Sequence, residues 1–312
     1  MSETSTLSSA ALLQQRLWGA DPEAWRLHSE PHTAPLFEAA LAAASIVPGT
    51  RLLDIACGTG MLLALAAERG ARVTGLDVSP GMLQLAAEQA PSAELVLADL
   101  QSLPFADETF DVVTGINAFV FAEDSRRAIT EAARVLAPGG RLVVGMFAEP
   151  ERSQSTAIHD AMTELSPPER AAEHEPYALS APGNLEVALE AAGLQLVGAA
   201  EVELDWYYEE VEHAVLGLST SGGGTRAVED VGIDAVRSTI RTALVPFTDA
   251  TTGTVTLHNT FRWVGALKPP AGLDELDHRT AAGLDELDHR TAAGLDELDH
   301  RTAAGLDELD HR

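Results

Sequence analysis

Apolar residues fall along this chain in short, nearly continuous runs that alternate with stretches of helical period. The runs are Arg51–Ala56, Arg72–Asp77, Glu94–Asp99, Phe110–Ile116 and Arg141–Phe147; the helical stretches are Met61–Arg69, Pro80–Ala90 and Ser125–Leu136. Strands that are apolar on both faces and separated by helices predict a parallel sheet covered on both sides, an α/β architecture. Asn184–Ala192 predicts a further helix closed by Gly193. Leu194–Asp205 and Gly253–Leu267 predict a final pair of strands. Trp206 to Asp249, between them, predicts helices packed elsewhere as a cap, and residues 150–181, rich in Pro, Glu and Ser, a second cap segment.

Residues 271–312 break this pattern. They are four copies of AGLDELDHR joined by Thr-Ala, an 11-residue repeat in which Leu273, Leu276, Thr280, Leu284 and Leu287 keep 3-4-4-3 spacing. That period holds one apolar stripe on a helix of about 3.67 residues per turn. Against it, each copy carries a glycine costing roughly 1 kcal/mol relative to Ala. The stripe is also thin, so a solvated tail is favoured over an oligomerising helix.

Composition narrows the partners. The 312 residues carry a net charge of −28, of which the repeats supply −8, and Lys268 is the only lysine. A body this acidic repels phosphate backbones, which argues against nucleic acid. With no charge-free apolar run of about 18 residues, no membrane span is expected. The N-terminal segment lacks a secretion pattern, and the single cysteine excludes an intrachain disulfide framework, so the cytoplasm is the expected compartment.

The chemistry concentrates at Asp54-Ile55-Ala56-Cys57-Gly58-Thr59-Gly60, between a strand and a helix. Glycine there lets a ligand approach backbone N–H groups at a helix N-terminus. A dinucleotide fingerprint needs a small residue three places after Gly60, where Leu63 stands, and no Gly-Lys-Ser/Thr follows. The loop therefore suits a nucleoside without a pyrophosphate. Asp77 ends the second strand, where an acid accepts ribose hydroxyls, and Asp99 ends the third, where it can accept from an adenine amine. A lone strand-end Asp is usually a helix cap; three in register with a glycine loop argue for one ligand crevice.

The successive runs DIACGTG, GLDVSPGML, ADLQSLPFADETFDVV and RVLAPGGRLVV resemble the class I S-adenosylmethionine (SAM)-dependent methyltransferases, of the ubiquinone/menaquinone-methyltransferase-like small-molecule group. The resemblance spans roughly residues 12–267. It implies a Rossmann-like fold with a seven-stranded, mostly parallel sheet whose last strand is antiparallel, plus a helical cap. It places Asp54, Ala56, Gly58 and Gly60 around the methionine part of SAM, Asp77 on the ribose and Asp99 on the adenine amine. Val78, Met82 and Leu100 would sandwich the base, with Asn117 and Phe119 near the sulfonium and the acceptor. Ala56 departs from the glycine that many relatives carry. The implied organisation is an N-terminal helical cap (1–45), a SAM-binding core (46–149), a C-terminal part of the core with a substrate lid (150–268) and the repeat tail (269–312).

Methyl transfer from a sulfonium needs in-line positioning in a dry pocket, and a base only where the nucleophile holds a proton tightly. No triad is visible, and no compact metal-ligand spacing, so no metal is expected. His28 and His32, following Trp18 and Trp25 in the N-terminal segment, are the candidate catalytic residues. Trp25, Phe119, Trp206 and Tyr207 are the candidate acceptor contacts. His258 and Asn259 are expected to bond within the sheet, Cys57 to be a buried small residue, and the glycine-rich Ser219–Thr225 to be a flexible hinge. The expected function is SAM-dependent methylation at O, N or C of a small, secondary-metabolic molecule by a possible homo-oligomer. The alternatives are a cyclisation or rearrangement on the same fold, or a scaffold that acts through the tail.

Overall fold

The computed structural model describes residues 7–167 and 178–270. His174 and the repeat tail, with both readings of it, lie outside the described residues. The described residues up to Lys268 form one compact unit, so the N-terminal segment, the core and the lid pack together.

Seven strands form one sheet in the order β3-β2-β1-β4-β5-β7-β6. They are β1 (Arg51–Ile55), β2 (Arg72–Asp77), β3 (Glu94–Leu97), β4 (Phe110–Ile116), β5 (Leu136–Phe147), β6 (Gln195–Tyr208) and β7 (Val255–Leu267). β1 to β5 are parallel, and β7 runs antiparallel between β5 and β6. The sheet implied by the family resemblance is the sheet observed.

The helices are α1 (Ser9–Trp18), α2 (Pro22–His28), α3 (Ala34–Ala44), α4 (Met61–Glu68), α5 (Pro80–Gln89), α6 (Ser125–Val135), α7 (Ser155–Thr163), α8 (Asn184–Ala191), α9 (Val211–Ser219), α10 (Gly222–Val231) and α11 (Ile233–Leu244). One face of the sheet buries Ile129, Ala132 and Val135 of α6 with Leu185 and Leu189 of α8. The other buries Leu36, Ala40 and Leu41 of α3 with Leu62 and Leu63 of α4. A third core joins Ile158 and Met162 of α7 to Val215 of α9 and Val236 and Ile240 of α11, against Tyr208, Val255 and Leu257.

That third core rests on an overhang. The β5–β7 ladder ends at Phe147 opposite Phe261, whereas β6–β7 continues to Tyr208 opposite Val255. The ribbon thus projects past the sheet by roughly 20 Å at ~3.3 Å per residue. Trp206-Tyr207-Tyr208 are therefore strand residues and do not open the lid. Their aromatic character and the paired partners on β7 carry the ladder on.

Ser219–Thr225, expected as a hinge, comprises the end of α9, a short turn and the start of α10. The Ser221 hydroxyl caps α10 by accepting from the Gly224 N–H at 3.1 Å. A Cβ on Gly224 would stand 2.4 Å from the Leu218 carbonyl oxygen, and one on Gly222 3.1 Å from the Trp18 ring. Gly222 and Gly224 permit this close packing. Lys268 donates to the carbonyls of Ala133 (3.0 Å) and Leu136 (2.7 Å), where α6 ends and its last carbonyls lack helical partners.

Gly75, in the middle of β2, meets Leu63 and Cys57: an added Cβ would lie 2.5 Å from Leu63 Cδ1 and 2.8 Å from Cys57 Sγ. Gly75→Ala should lower the unfolding free energy in urea by about 1–3 kcal/mol. Gly223→Ala, with open space at that position, should change it by less than about 1 kcal/mol. Equal midpoints for the two variants would refute this packing.

Candidate functional site

The carboxyl ends of β1, β2 and β3 deliver three acids to one edge of the sheet. Ala56, Gly58 and Gly60 all have left-handed backbone (φ 56, 54 and 91), and they turn the chain abruptly from β1 into α4. A Cβ on Gly60 would lie 2.9 Å from the Ala86 Cα, so glycine here lets α5 approach the loop. Asp77 reaches across from β2: its Oδ2 accepts from the Gly58 N–H at 3.0 Å and its Oδ1 from the Ser79 N–H at 2.8 Å. Asp54 accepts from the Thr114 hydroxyl of β4 at 2.7 Å. β3 stops at Leu97, and the released Asp99 accepts from the Gln101 N–H at 2.9 Å and from the Ser8 N–H at 3.4 Å. The latter bond brings the start of α1 over the site, and Gln15 adds a 2.7 Å bond to the Val78 carbonyl.

A fourth acid joins them from the N-terminal segment. Glu30 is buried and accepts from the Thr59 hydroxyl of the glycine loop. Burial pushes Asp54 up to about 7, Asp77 up to about 6 and Glu30 up to about 7, against the weaker opposing pull of their hydrogen bonds and, at Glu30, of Arg26. Mutual repulsion among the acids adds to the shift at Asp54. Burial likewise raises the Cys57 thiol, as befits a small buried residue.

These groups line a cavity of about 330 Å³, within the range for small-molecule sites. Of the residues singled out from sequence, Asp54, Ala56, Gly58, Asp77, Val78, Met82, Asp99, Leu100, Asn117, Trp25 and Trp206 line it. Asn117 has left-handed backbone (φ 51) and a buried Oδ1 without a hydrogen-bond partner.

Gly60, His28, His32, Phe119 and Tyr207 do not line it. Gly60 packs against α5 instead. Phe119 is 1% exposed and lies in the core over Gly115, whose Cβ would fall 2.5 Å from its ring. Its neighbours Val120 and Phe121 line the cavity instead. Tyr207 is 54% exposed, because successive strand side chains point to opposite faces and Trp206 and Tyr208 take the cavity side. His28 stacks on His213 at 5.5 Å, and burial with that neighbour holds its pKa down. His32 is bound through Nε2 to the Tyr207 carbonyl at 3.0 Å and packs against Tyr208 at 4.6 Å, behind the cavity wall. The structure thus removes both candidate catalytic histidines from the cavity. His258 bonds within the sheet as expected, to Asp205 at 2.7 Å; Asn259 donates to the Leu257 carbonyl at 3.1 Å, and its Oδ1 reaches out of the sheet to accept from the Ser155 N–H of α7 at 3.0 Å.

Sequence reasoning missed Glu30, Phe147, Phe261 and His159 as lining residues. Glu30 and His159 carry no local signal. Among the described residues no three His, Cys, Asp or Glu side chains converge as a metal site.

Residues 53–144 match the family model described as a methyltransferase domain. This segment is a class I methyltransferase domain. The demethylmenaquinone methyltransferase of Renibacterium salmoninarum is 40% identical over 108 residues, which cover 35% of this chain and 46% of that protein. The chain spans about half the length of the curated relatives it matches. Among solved structures, Haemonchus contortus phospholethanolamine N-methyltransferase 2, in complex with phosphomonomethylethanolamine and S-adenosylhomocysteine, aligns with a TM-score of 0.54 at 18% identity, covering 84% of this chain and 61% of that one. The [4+2]-cyclase SpnF aligns at 0.50 and 20% identity, covering 76% of this chain and 82% of that one. Both likenesses show the fold.

The raised carboxyls make stability pH-dependent. A carboxyl whose folded pKa lies above its unfolded value, near 4, favours folding fully below pH ~4 and loses that contribution as pH rises through the folded value. Urea unfolding of the cofactor-free protein should therefore show stability lost between about pH 4 and 7. Asp54→Asn should reduce that loss by more than about 1 kcal/mol. Parallel pH profiles for the two proteins would contradict the assignment.

Proposed function

We propose that the chain transfers a methyl group from SAM to an O, N or C atom of a small, apolar, secondary-metabolic molecule. The observation that carries this reading is the set of buried acids around a glycine loop in one cavity, which Arg226 also lines. Such a set suits a ligand that is itself a cation, and SAM carries both a sulfonium and an ammonium. When bound, SAM supplies an electrophilic methyl group.

The chain's own groups then have distinct tasks. Asp54, Ala56 and Gly58 surround the methionine part. Asp77, oriented by the Gly58 and Ser79 N–H groups, takes the ribose hydroxyls with the lone pairs left to it. Asp99 accepts from the adenine amine, with Val78, Met82 and Leu100 against the base. Asn117 stands between the acids and the aromatic side chains. α1 closes over the adenine end and excludes water, which strengthens the electrostatic contacts inside.

The sheet order supports an apolar acceptor. Asp99 follows β3, Asp77 and Asp54 stand at the carboxyl ends of β2 and β1, and Asn117 follows β4; beyond it Phe147 ends β5, with Phe261 on β7 and Trp206 and Tyr208 on β6. The crevice is acidic at one end and aromatic at the other. No described helix is long and apolar enough to cross a membrane. In this reading the enzyme works in the cytoplasm on a small molecule, without nucleic acid, and any homo-oligomer is secondary to the chemistry.

Calorimetry should show SAM and S-adenosylhomocysteine binding to the full chain. Asp77→Ala and Asp99→Ala should each weaken binding at least about tenfold, since each removes a charge-assisted hydrogen bond. Undiminished affinity in both variants would remove the cofactor assignment. An acceptor that gains the mass of one methyl supports transfer; one converted without a mass change supports a rearrangement instead.

A further inference from the structure

The aromatic end of the cavity contains a base that no relative's name assigns, and the argument rests on the methyl-transfer reading above. His159, Met162, Thr163 and Ser166 all line the cavity. Their 3-1-3 spacing is that of one helical face, carried by α7 and the turn after it. His159 stands edge-on to Phe147, with ring centroids 6.2 Å apart at 85°. Phe147 in turn packs on Phe261 at 4.1 Å and faces Trp206 at 6.1 Å.

The other histidines near this end are engaged behind the wall, His28 on His213 and His32 on the Tyr207 carbonyl. Neither ring nitrogen of His159 has a hydrogen-bond partner among the described residues. Burial lowers its pKa, so the ring is neutral and basic near pH 7. Tyr208, which lines the cavity together with the Arg226 cation, is pushed upward by burial and stays protonated.

We propose that His159 is the base that takes the hydroxyl proton of a flat, phenol-type acceptor seated among Phe147, Trp206 and Phe261. Two observations select that class. Aromatic walls favour a planar ring, and a neutral imidazole can take a phenolic proton far more readily than the more tightly held proton of an aliphatic alcohol. The step balances. The acceptor O–H bond breaks, and its proton goes to the free nitrogen of His159. An oxygen electron pair forms the new C–O bond as the methyl–sulfur bond of the donor breaks, and that pair stays on sulfur. A sulfonium and a phenol become a neutral thioether, an aryl ether and an imidazolium, which returns its proton to water.

The test uses the full chain saturated with S-adenosylhomocysteine, with 1-naphthol and naphthalene as probes. Wild type should bind 1-naphthol about 3- to 10-fold more tightly than naphthalene, the worth of one net hydrogen bond. His159→Phe should abolish that preference while S-adenosylhomocysteine affinity stays within about twofold, which also certifies the fold. His159→Asn serves if the phenylalanine variant does not fold. With SAM as donor, wild type should form 1-methoxynaphthalene, and either variant should be at least about 100-fold slower. The proposal is overturned by wild type that binds neither probe, shows no preference or leaves naphthol unmethylated. It is equally overturned by a preference that survives in His159→Phe and vanishes in Tyr208→Phe. Failure of wild type to bind S-adenosylhomocysteine would instead strike the earlier reading, and calorimetry reveals it before any probe is added.

Discussion

Burying carboxylates without a counter-charge is costly, and this protein buries three of them around one glycine loop. Asp54, Asp77 and Glu30 are each held by hydroxyl or amide donors that fix their orientation but do not neutralise them. Their raised pKa values express that cost. The surrounding fold can bear it because the large apolar cores on both sheet faces hold the strand tips in place. A cationic ligand reverses the sign: the same acids that weaken the empty site attract what fills it. Binding and stability are thus two aspects of one arrangement, and the site follows from the strands that hold it.

The second constraint is the ribbon formed by β6 and β7. Because it outruns β5, it gives the lid helices an apolar surface to pack on and places Trp206 and Tyr208 beside the crevice. The glycines of α10 admit the Trp18 ring and the end of α9. The N-terminal segment closes the opposite end through Gln15 on Val78 and Ser8 on Asp99. The acidic end is therefore covered by α1 and the aromatic end by α7, two elements far apart in sequence.

The parallel core was legible because its signal is local. β1, β2 and β4 are buried apolar runs followed by helices, so the boundaries of β2 and β4 fall where the pattern puts them, and the end of α5 shifts by one residue. The long β6, the bulged start of β5 at Leu136 and the helix at Gly222 were not. Each depends on a partner distant in sequence: Val255–Leu257 for the first, Phe110 for the second, Trp18 and Leu218 for the third. Local propensity cannot register a ladder or a close approach made by another segment.

The site divides in the same way. Asp54, Asp77 and Asp99 are strand-end residues, and a parallel sheet brings all strand ends to one edge whatever the helices do; the sequence alone determined that. It could not determine which side of a turn faces inward, so Phe119 went to the core and Val120 and Phe121 to the cavity. Nor could it choose among the histidines. His28, His32 and His159 differ only in what packs around them: a second imidazole, a backbone carbonyl, or the open aromatic end of the crevice. Those surroundings are assembled from segments more than a hundred residues apart, and they exist only once the chain is folded.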